Sequence, residues 1–495
     1  MAKGFAPLLY FFLIFFPLIV FSAPAGAQPS LPSGLGEESS SPDVPSGLGG
    51  PEEEKTGPSL PEGLGTGDET QEETKEREEK EGAWLGGLED LPFQFGGFWE
   101  VRGGARTGND PYERDVSLAE TRLHLEIQKY WSSSSLDLAA DFLYDPVLAE
   151  HDVDLEEGEG LFDLRQFRYN FSPVGFMDVR AGRQILTWGT GDLLFLNDLF
   201  PKDWRSFFSG RDVDYLKAPS DAVKVSVFGS NLGLPVSLDL VYTPRFDPDR
   251  FIDGRRTSYW NPLLGRRAGR HDILETETPD DWFTDDELAL RLYRSVMGYE
   301  LALYYYRGFW KSPAGIIPDS GLFTHPELAV YGASAEGNVG PGIGNIEFAF
   351  YESREDMSGS DPFVDNSQVR FLMGYEQEAA RNFTVAGQYY LEYLLDYDEY
   401  RDNLPAGQRK RDEDRHVLTV RLTKTLLMQN LELSLFAFYS PSDRDAYLRP
   451  RISYDIDDHW RVEGGGNIFL ADEKHTFFGQ FEKNTNFYAG LRYSF

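Results

Sequence analysis

The chain has 495 residues, a formal net charge of −35, 15% aromatic residues and no cysteine. Without cysteine there is no disulfide, lipid-attachment thiol, thiolate metal site or c-type haem, and no cofactor is expected. The strong negative charge argues against nucleic acid as a partner.

The N-terminus carries Lys3, an apolar stretch from Phe5 to Phe21, and then the small-residue triplet Ala25-Gly26-Ala27. This reads as a signal peptide over 1–27, cleaved after Ala27. An uncleaved anchor is the rival, because the shortest helical spans need about 17 residues. Pro7 and Pro17 break the run and the small-residue site follows it, which favours cleavage. Beyond Gln28 no segment is apolar enough for a membrane helix, so a membrane-crossing chain must close into a barrel. From 28 to 91 the composition of Pro, Gly, Ser and Glu is that of a disordered periplasmic segment. It holds three related copies, Leu31-Pro32-Ser33-Gly34-Leu35-Gly36, Val44-Pro45-Ser46-Gly47-Leu48-Gly49 and Leu60-Pro61-Glu62-Gly63-Leu64-Gly65. They read as a spacer or as repeated motifs that gain avidity for a periplasmic protein.

From 92 to 495 the chain divides into runs of about ten residues with alternating apolar positions, the length of a tilted membrane strand. In the clearest, Leu123, Leu125 and Ile127 face lipid while Glu120, Arg122, His124 and Glu126 face the lumen. The connections alternate between eight short turns, such as Ser172 to Gly175, and nine long polar loops, such as Thr187 to Asp221 and Pro244 to Asp286. That count predicts an all-β, transmembrane antiparallel barrel of 18 strands, or 16 on a miscount, with both ends in the periplasm. Barrels of this size carry water-filled channels. The last run alternates Phe487, Ala489, Leu491, Tyr493 and Phe495. Its aromatic end, Tyr493 and Phe495, resembles the signal read by the outer-membrane assembly machinery.

Two segments carry a family likeness. Gly182-Arg183-Gln184-Ile185-Leu186-Thr187-Trp188-Gly189-Thr190-Gly191-Asp192, with Asn197-Asp198 and Pro201-Lys202-Asp203, resembles uncharacterised porin-like families of the Gram-negative outer membrane. The close, Leu491-Arg492-Tyr493-Ser494-Phe495, resembles the same families. The Gly-Arg-Gln strand and the strand count are also similar, more loosely, to alginate-export-type barrels. The likeness implies a fold and a membrane. The arginine-rich lumen of alginate exporters is not matched, since the lumenal arginines here are balanced by acids.

Alternation places Glu100, Arg102, Glu120, Arg122, Arg168, Arg180, Arg449, Arg451, Arg461 and Arg492 on the lumen, where the first and last strands meet as one charged wall. In the barrel arginine outnumbers lysine more than threefold, which suits planar pairing with carboxylates. The wall is either a lattice of ion pairs or a field that orients a polar or anionic solute. The aromatic-rich loop from Thr187 to Asp221 is expected either to enter the lumen or to cap the rim. If it enters, its aromatics pack on the wall while Trp188, Asp192, Asn197, Asp198 and Asp203 form a constriction. In the longest loop, seven arginines from Arg245 to Arg270 precede Asp280, Asp281, Asp285 and Asp286. Neutralisation between those halves is expected, with lipopolysaccharide phosphate as the rival ligand. No twelve-residue calcium loop occurs, no metal site is expected, and the histidines lack the spacing of a barrel hydrolase. The resulting expectation is a non-enzymatic porin-like channel in the outer membrane for small polar or anionic solutes, or for export of a polysaccharide. The alternative is a non-conducting adaptor barrel that recruits a periplasmic partner, with a hydrolase as a minor third reading.

Overall fold

A computed structural model describes residues 92–495 apart from 149–151 and 406–407. The signal peptide, its cleavage after Ala27 and the segment carrying the three repeats lie outside the described residues.

Eighteen strands form one closed antiparallel barrel. They are β1 (Gln94–Arg106), β2 (Val116–Tyr130), β3 (Ser134–Tyr144), β4 (Phe162–Val174), β5 (Met177–Ile185), β6 (Pro219–Val227), β7 (Ser237–Thr243), β8 (Glu287–Val296) and β9 (Tyr299–Phe309). The second half comprises β10 (Glu327–Val339), β11 (Gly342–Ser353), β12 (Gln368–Ala380), β13 (Phe383–Leu394), β14 (Asp414–Leu426), β15 (Leu431–Ser440), β16 (Asp445–Asp455), β17 (Trp460–Ala471) and β18 (Asn486–Ser494). Each strand pairs with its neighbours in sequence, and β1 closes on β18 from Phe98↔Ser494 to Arg106↔Asn486. Closure removes both sheet edges, so every strand has a partner on each side. All eight turns and nine loops fall where the sequence puts them.

The two-residue period sorts the side chains. Trp99, Val101, Leu491 and Val462 stand exposed on the outer face, while Glu100, Arg102, Tyr488 and Glu463 are buried inside. The outer face is thus an apolar band of the kind a bilayer covers. Leu491 lies between Val101 and Val462 on that band. Leu491→Arg is expected to lower unfolding free energy by about 2–4 kcal/mol in urea titrations from vesicles, a cost set by lipid depth. Gly490→Ala, one residue away on the lumenal face, should change it little.

The loops carry further structure. Residues 186–218 contain a short helix α1 (Trp204–Ser209), and α2 (Tyr397–Asn403) lies between β13 and β14. In the longest loop Tyr259–Asn261 pairs with Arg266–Ala268. Thr276–Glu277 pairs in parallel with Phe323–Thr324 of the loop after β9.

Candidate functional site

The Gly-Arg-Gln motif ends β5 and launches the segment that fills the lumen. Gly182 has φ 115°, and a Cβ there would stand 2.2 Å from the Phe167 carbonyl oxygen, so only glycine fits. Arg183 donates to the Leu164 carbonyl at 2.7 Å and to Asp221 at 2.9 Å, while Gln184 donates to the Ala222 carbonyl at 2.9 Å. These bonds fix the end of β5 against β4 and β6.

From there residues 186–218 cross the barrel interior. Trp188 packs edge-on against Phe200 and also meets Tyr304 of β9. Glu347 of β11 collects the first limb, accepting from the backbone of Thr190 and Gly191, and from the Asn197 amide at 2.8 Å. Tyr351 donates to the Leu196 carbonyl at 2.6 Å. Gln388 of β13 takes the Asp192 N–H at 3.1 Å, and Arg421 of β14 pairs with the Asp192 carboxylate at 3.0 Å. Burial pushes the Asp192 carboxyl up from the usual range, opposed by Arg421 and assisted by Glu376.

The second limb reaches the opposite wall. Asp203 caps α1 by accepting from Ser206 N at 2.7 Å, and Arg250 lies 3.5 Å away. Burial alone would raise Asp203, but Arg250 and Arg205 hold it below the usual carboxylate range. Gly210 ends α1 in the left-handed region, where its carbonyl receives Arg102 at 2.6 Å and a Cβ would strike the Tyr488 ring. Arg449 donates to the Arg211 carbonyl at 2.7 Å, and Arg211 donates to Glu120 at 2.9 Å. Asp212 lies 3.6 Å from Arg451 and 3.7 Å from Arg492, and the Arg122 guanidinium sits 4.1 Å over the Tyr215 ring.

The residues of the charged wall therefore come together as an ion-pair lattice that also grips the segment. Arg102 joins Glu100 at 3.0 Å and Glu463 at 2.7 Å. Arg122 joins Glu120 at 2.8 Å and also Asp141. Arg451 joins Glu463 at 2.6 Å and Glu432 at 3.2 Å, and Arg492 joins Glu100 at 2.8 Å. Arg461 pairs with Asp455 at 2.5 Å and Arg168 with Asp137 at 2.7 Å, both away from the segment. Arg180, between Asn170 and Lys224 in register, is also engaged. Tyr493 and Phe495 lie at the turn end, where Phe495 exchanges backbone hydrogen bonds with Gly97 and stacks near Phe95.

Within the segment, Trp188, Phe200, Phe207 and Phe208 are buried in the interior cluster. Asn197, Asp198 and Asp203 are buried, pinning the chain to itself and to the wall. Leu193, Leu194, Phe195, Leu199 and Trp204 instead border an open cavity of about 1070 Å³ on the loop side. Leu193 is held at φ 58°, a left-handed conformation that costs a non-glycine residue about 1–2 kcal/mol. Sequence alternation missed Glu347, Tyr351 and Arg421. The available signal was an acid at 347 between outward Ile346 and Phe348.

The arginines of the longest loop are not neutralised by the acids that follow them. Arg250 pairs with Asp163 at the start of β4 at 2.9 Å, Arg256 with Asp145 in the loop after β3 at 2.7 Å, and Arg267 with Glu482 in the loop before β18 at 3.1 Å. Only short-range pairs, Arg255 with Asp253 and Arg266 with Asp272, stay within the loop, and Asp286 turns to Arg307. Sequence order cannot reveal loops that interleave over a barrel mouth.

Beneath this mesh Glu113 accepts from Arg270 N at 3.0 Å, and burial pushes its carboxyl up to about 7, against the pull of Arg106. The unfolded group titrates near 4.3, so between about pH 4 and 7 the folded state binds the extra proton and loses stability as pH rises. Glu113→Gln removes that loss. Its melting temperature should exceed that of the parent at pH 8 and equal it near pH 4.

The comparisons with solved structures return porins. The fold is similar to OccAB4 of Acinetobacter baumannii, with 8% identity, 82% of this chain and 98% of that chain covered, and a TM-score of 0.48. OccK3 (OpdO) of Pseudomonas aeruginosa gives 12% identity, 83% and 98% coverage, and 0.46. OmpF of Salmonella typhi, solved with daunomycin, gives 9% identity, 81% and 97% coverage, and 0.41. No family model and no curated protein matches the chain.

Proposed function

We propose that this barrel is a porin-type channel of the Gram-negative outer membrane, passing small polar or anionic solutes through a lumen narrowed by residues 186–218. The observation that carries this reading is the placement of that segment, tied to β11, β13 and β14 on one side and to β16, β18, β1 and β2 on the other. A segment so held restricts a water-filled barrel without closing its sheet. Charged groups at the restriction then set ion preference. Export of an anionic polysaccharide is a narrower version, and lipopolysaccharide, the assembly machinery and a periplasmic protein held by the N-terminal repeats are the proposed partners.

The test is single-channel conductance and reversal potential in a planar bilayer. Small, persistent, ion-selective openings are expected. Arg451→Ala should move the reversal potential toward cations, because it leaves Glu463, Glu432 and Asp212 without that guanidinium. Silence from a folded barrel would instead support the adaptor reading. One observation favours that second reading: a continuous buried apolar cluster runs from Tyr304 and Tyr351 through Phe207 to Phe469 and Phe481, filling much of the interior.

A further inference from the structure

The cavity above the inserted segment has the chemistry of a binding site, on a floor that no pairing in the lattice explains. Leu193, Leu194, Phe195, Leu199 and Trp204 are only partly covered by the core beneath them. Such a surface meets water at a cost unless an apolar body covers it. Its volume, about 1070 Å³, is at the upper end for small-molecule sites.

Eight cationic and eight acidic side chains line the walls. Most of them neutralise one another, as Arg411 does with Asp365 at 2.8 Å and Arg415 with Asp443 at 2.7 Å. Four are different. Lys410, Asp412, Arg444 and Asp472 are exposed at the cavity wall, with no ion-pair partner among the described residues. Two free charges of each sign stand over one apolar floor. A polyanion would meet the two carboxylates, a sugar leaves the leucines uncovered, and a fatty acid gives Asp412 and Asp472 nothing to bind.

We propose that this vestibule binds a short apolar peptide with both termini free. Its side chains lie on Leu194 and Phe195, its ammonium meets Asp412 or Asp472, and its carboxylate meets Lys410 or Arg444. The site names a solute class for the channel reading, but binding here does not require conduction. The full chain in lipid nanodiscs is titrated by calorimetry with trileucine, triglycine, N-acetyl-trileucine and trileucine amide. Trileucine should bind about tenfold or more tightly than each of the other three, the equivalent of about 1.4 kcal/mol. Leu194→Ser with Phe195→Ser should erase the advantage over triglycine. Lys410→Ser with Arg444→Ser should weaken trileucine and leave trileucine amide unchanged, a pattern that misfolding would not give. Equal binding of either capped peptide shows a singly charged amphipath, equal binding of triglycine shows no role for the floor, and no heat with any peptide shows no site; each overturns the proposal. Bilayer silence alongside peptide binding would remove the channel and leave the site.

Discussion

Replacing residues 189–217 with a short glycine-serine turn raises single-channel conductance about fivefold or more, toward that of an unobstructed barrel of 18 strands. The strand ladders do not depend on the segment: β5 already pairs with β6 from Ile185↔Pro219 to Met177↔Val227. The deletion removes the limb bound by Glu347, Tyr351 and Arg421 together with the limb bound by Arg102, Arg449 and Glu120. The aromatic layer loses Phe200, Phe207 and Phe208 at the same time. Wall residues such as Arg102 and Arg122 keep their strand-borne partners Glu463 and Asp141, so their charges stay compensated while water enters. Conductance that stayed at the parent value would show that the segment does not limit flow.

Glu120→Ala costs the barrel about 3–5 kcal/mol, the usual penalty for removing one partner of a buried ion pair. One carboxylate oxygen of Glu120 takes Arg122 Nε at 2.9 Å and Nη2 at 2.8 Å, and the other takes Arg211 Nε at 2.9 Å. Arg122 is 2% exposed, so water cannot replace what it loses. The loss is read from urea unfolding midpoints of the folded barrel. Because Arg211 belongs to the inserted segment, the same substitution should also loosen it and raise conductance. In the segment-deleted barrel Glu120→Ala should cost much less, since Arg211 is gone and Arg122 reaches water. Such non-additivity is the mark of a shared network. A cost below about 1 kcal/mol in the parent would mean the pair behaves as a solvated surface pair.

The strands were legible because a lipid-facing and a water-facing side chain alternate at the smallest period a chain can have, as in Leu123, Leu125 and Ile127 against Glu120, Arg122 and His124. The turns were legible because Gly298 and Gly340, at φ 84° and 61°, leave a local trace in composition. The interior of the barrel was less so. Glu347 and Asn197 are 150 residues apart, and Arg102 meets Glu463 across 361. Alternation shows that such groups face inward, but not which of them touch. The aromatic excess after Trp188 pointed to a buried segment, and its burial explains why so many rings are needed there. Aromatic excess does not by itself say what the polar residues of that segment do. A loop packed in a barrel must satisfy its own backbone and acids first, so Asn197, Asp198 and Asp203 are used as pins and the leucines face the opening.

The absence of cysteine makes one measurement especially clean. Asp192→Cys with Arg421→Cys places one thiol on the inserted segment and one on β14, at positions joined by a 3.0 Å ion pair. A short bifunctional thiol reagent applied to the folded barrel in membranes should join the two in high yield, and each single variant should give none. Linkage should also hold conductance at its low parent value under acid and high salt, conditions that weaken the ion pair. Failure of the pair to link, with each thiol labelled freely, would place the segment outside the lumen and contradict the account of a barrel narrowed from within.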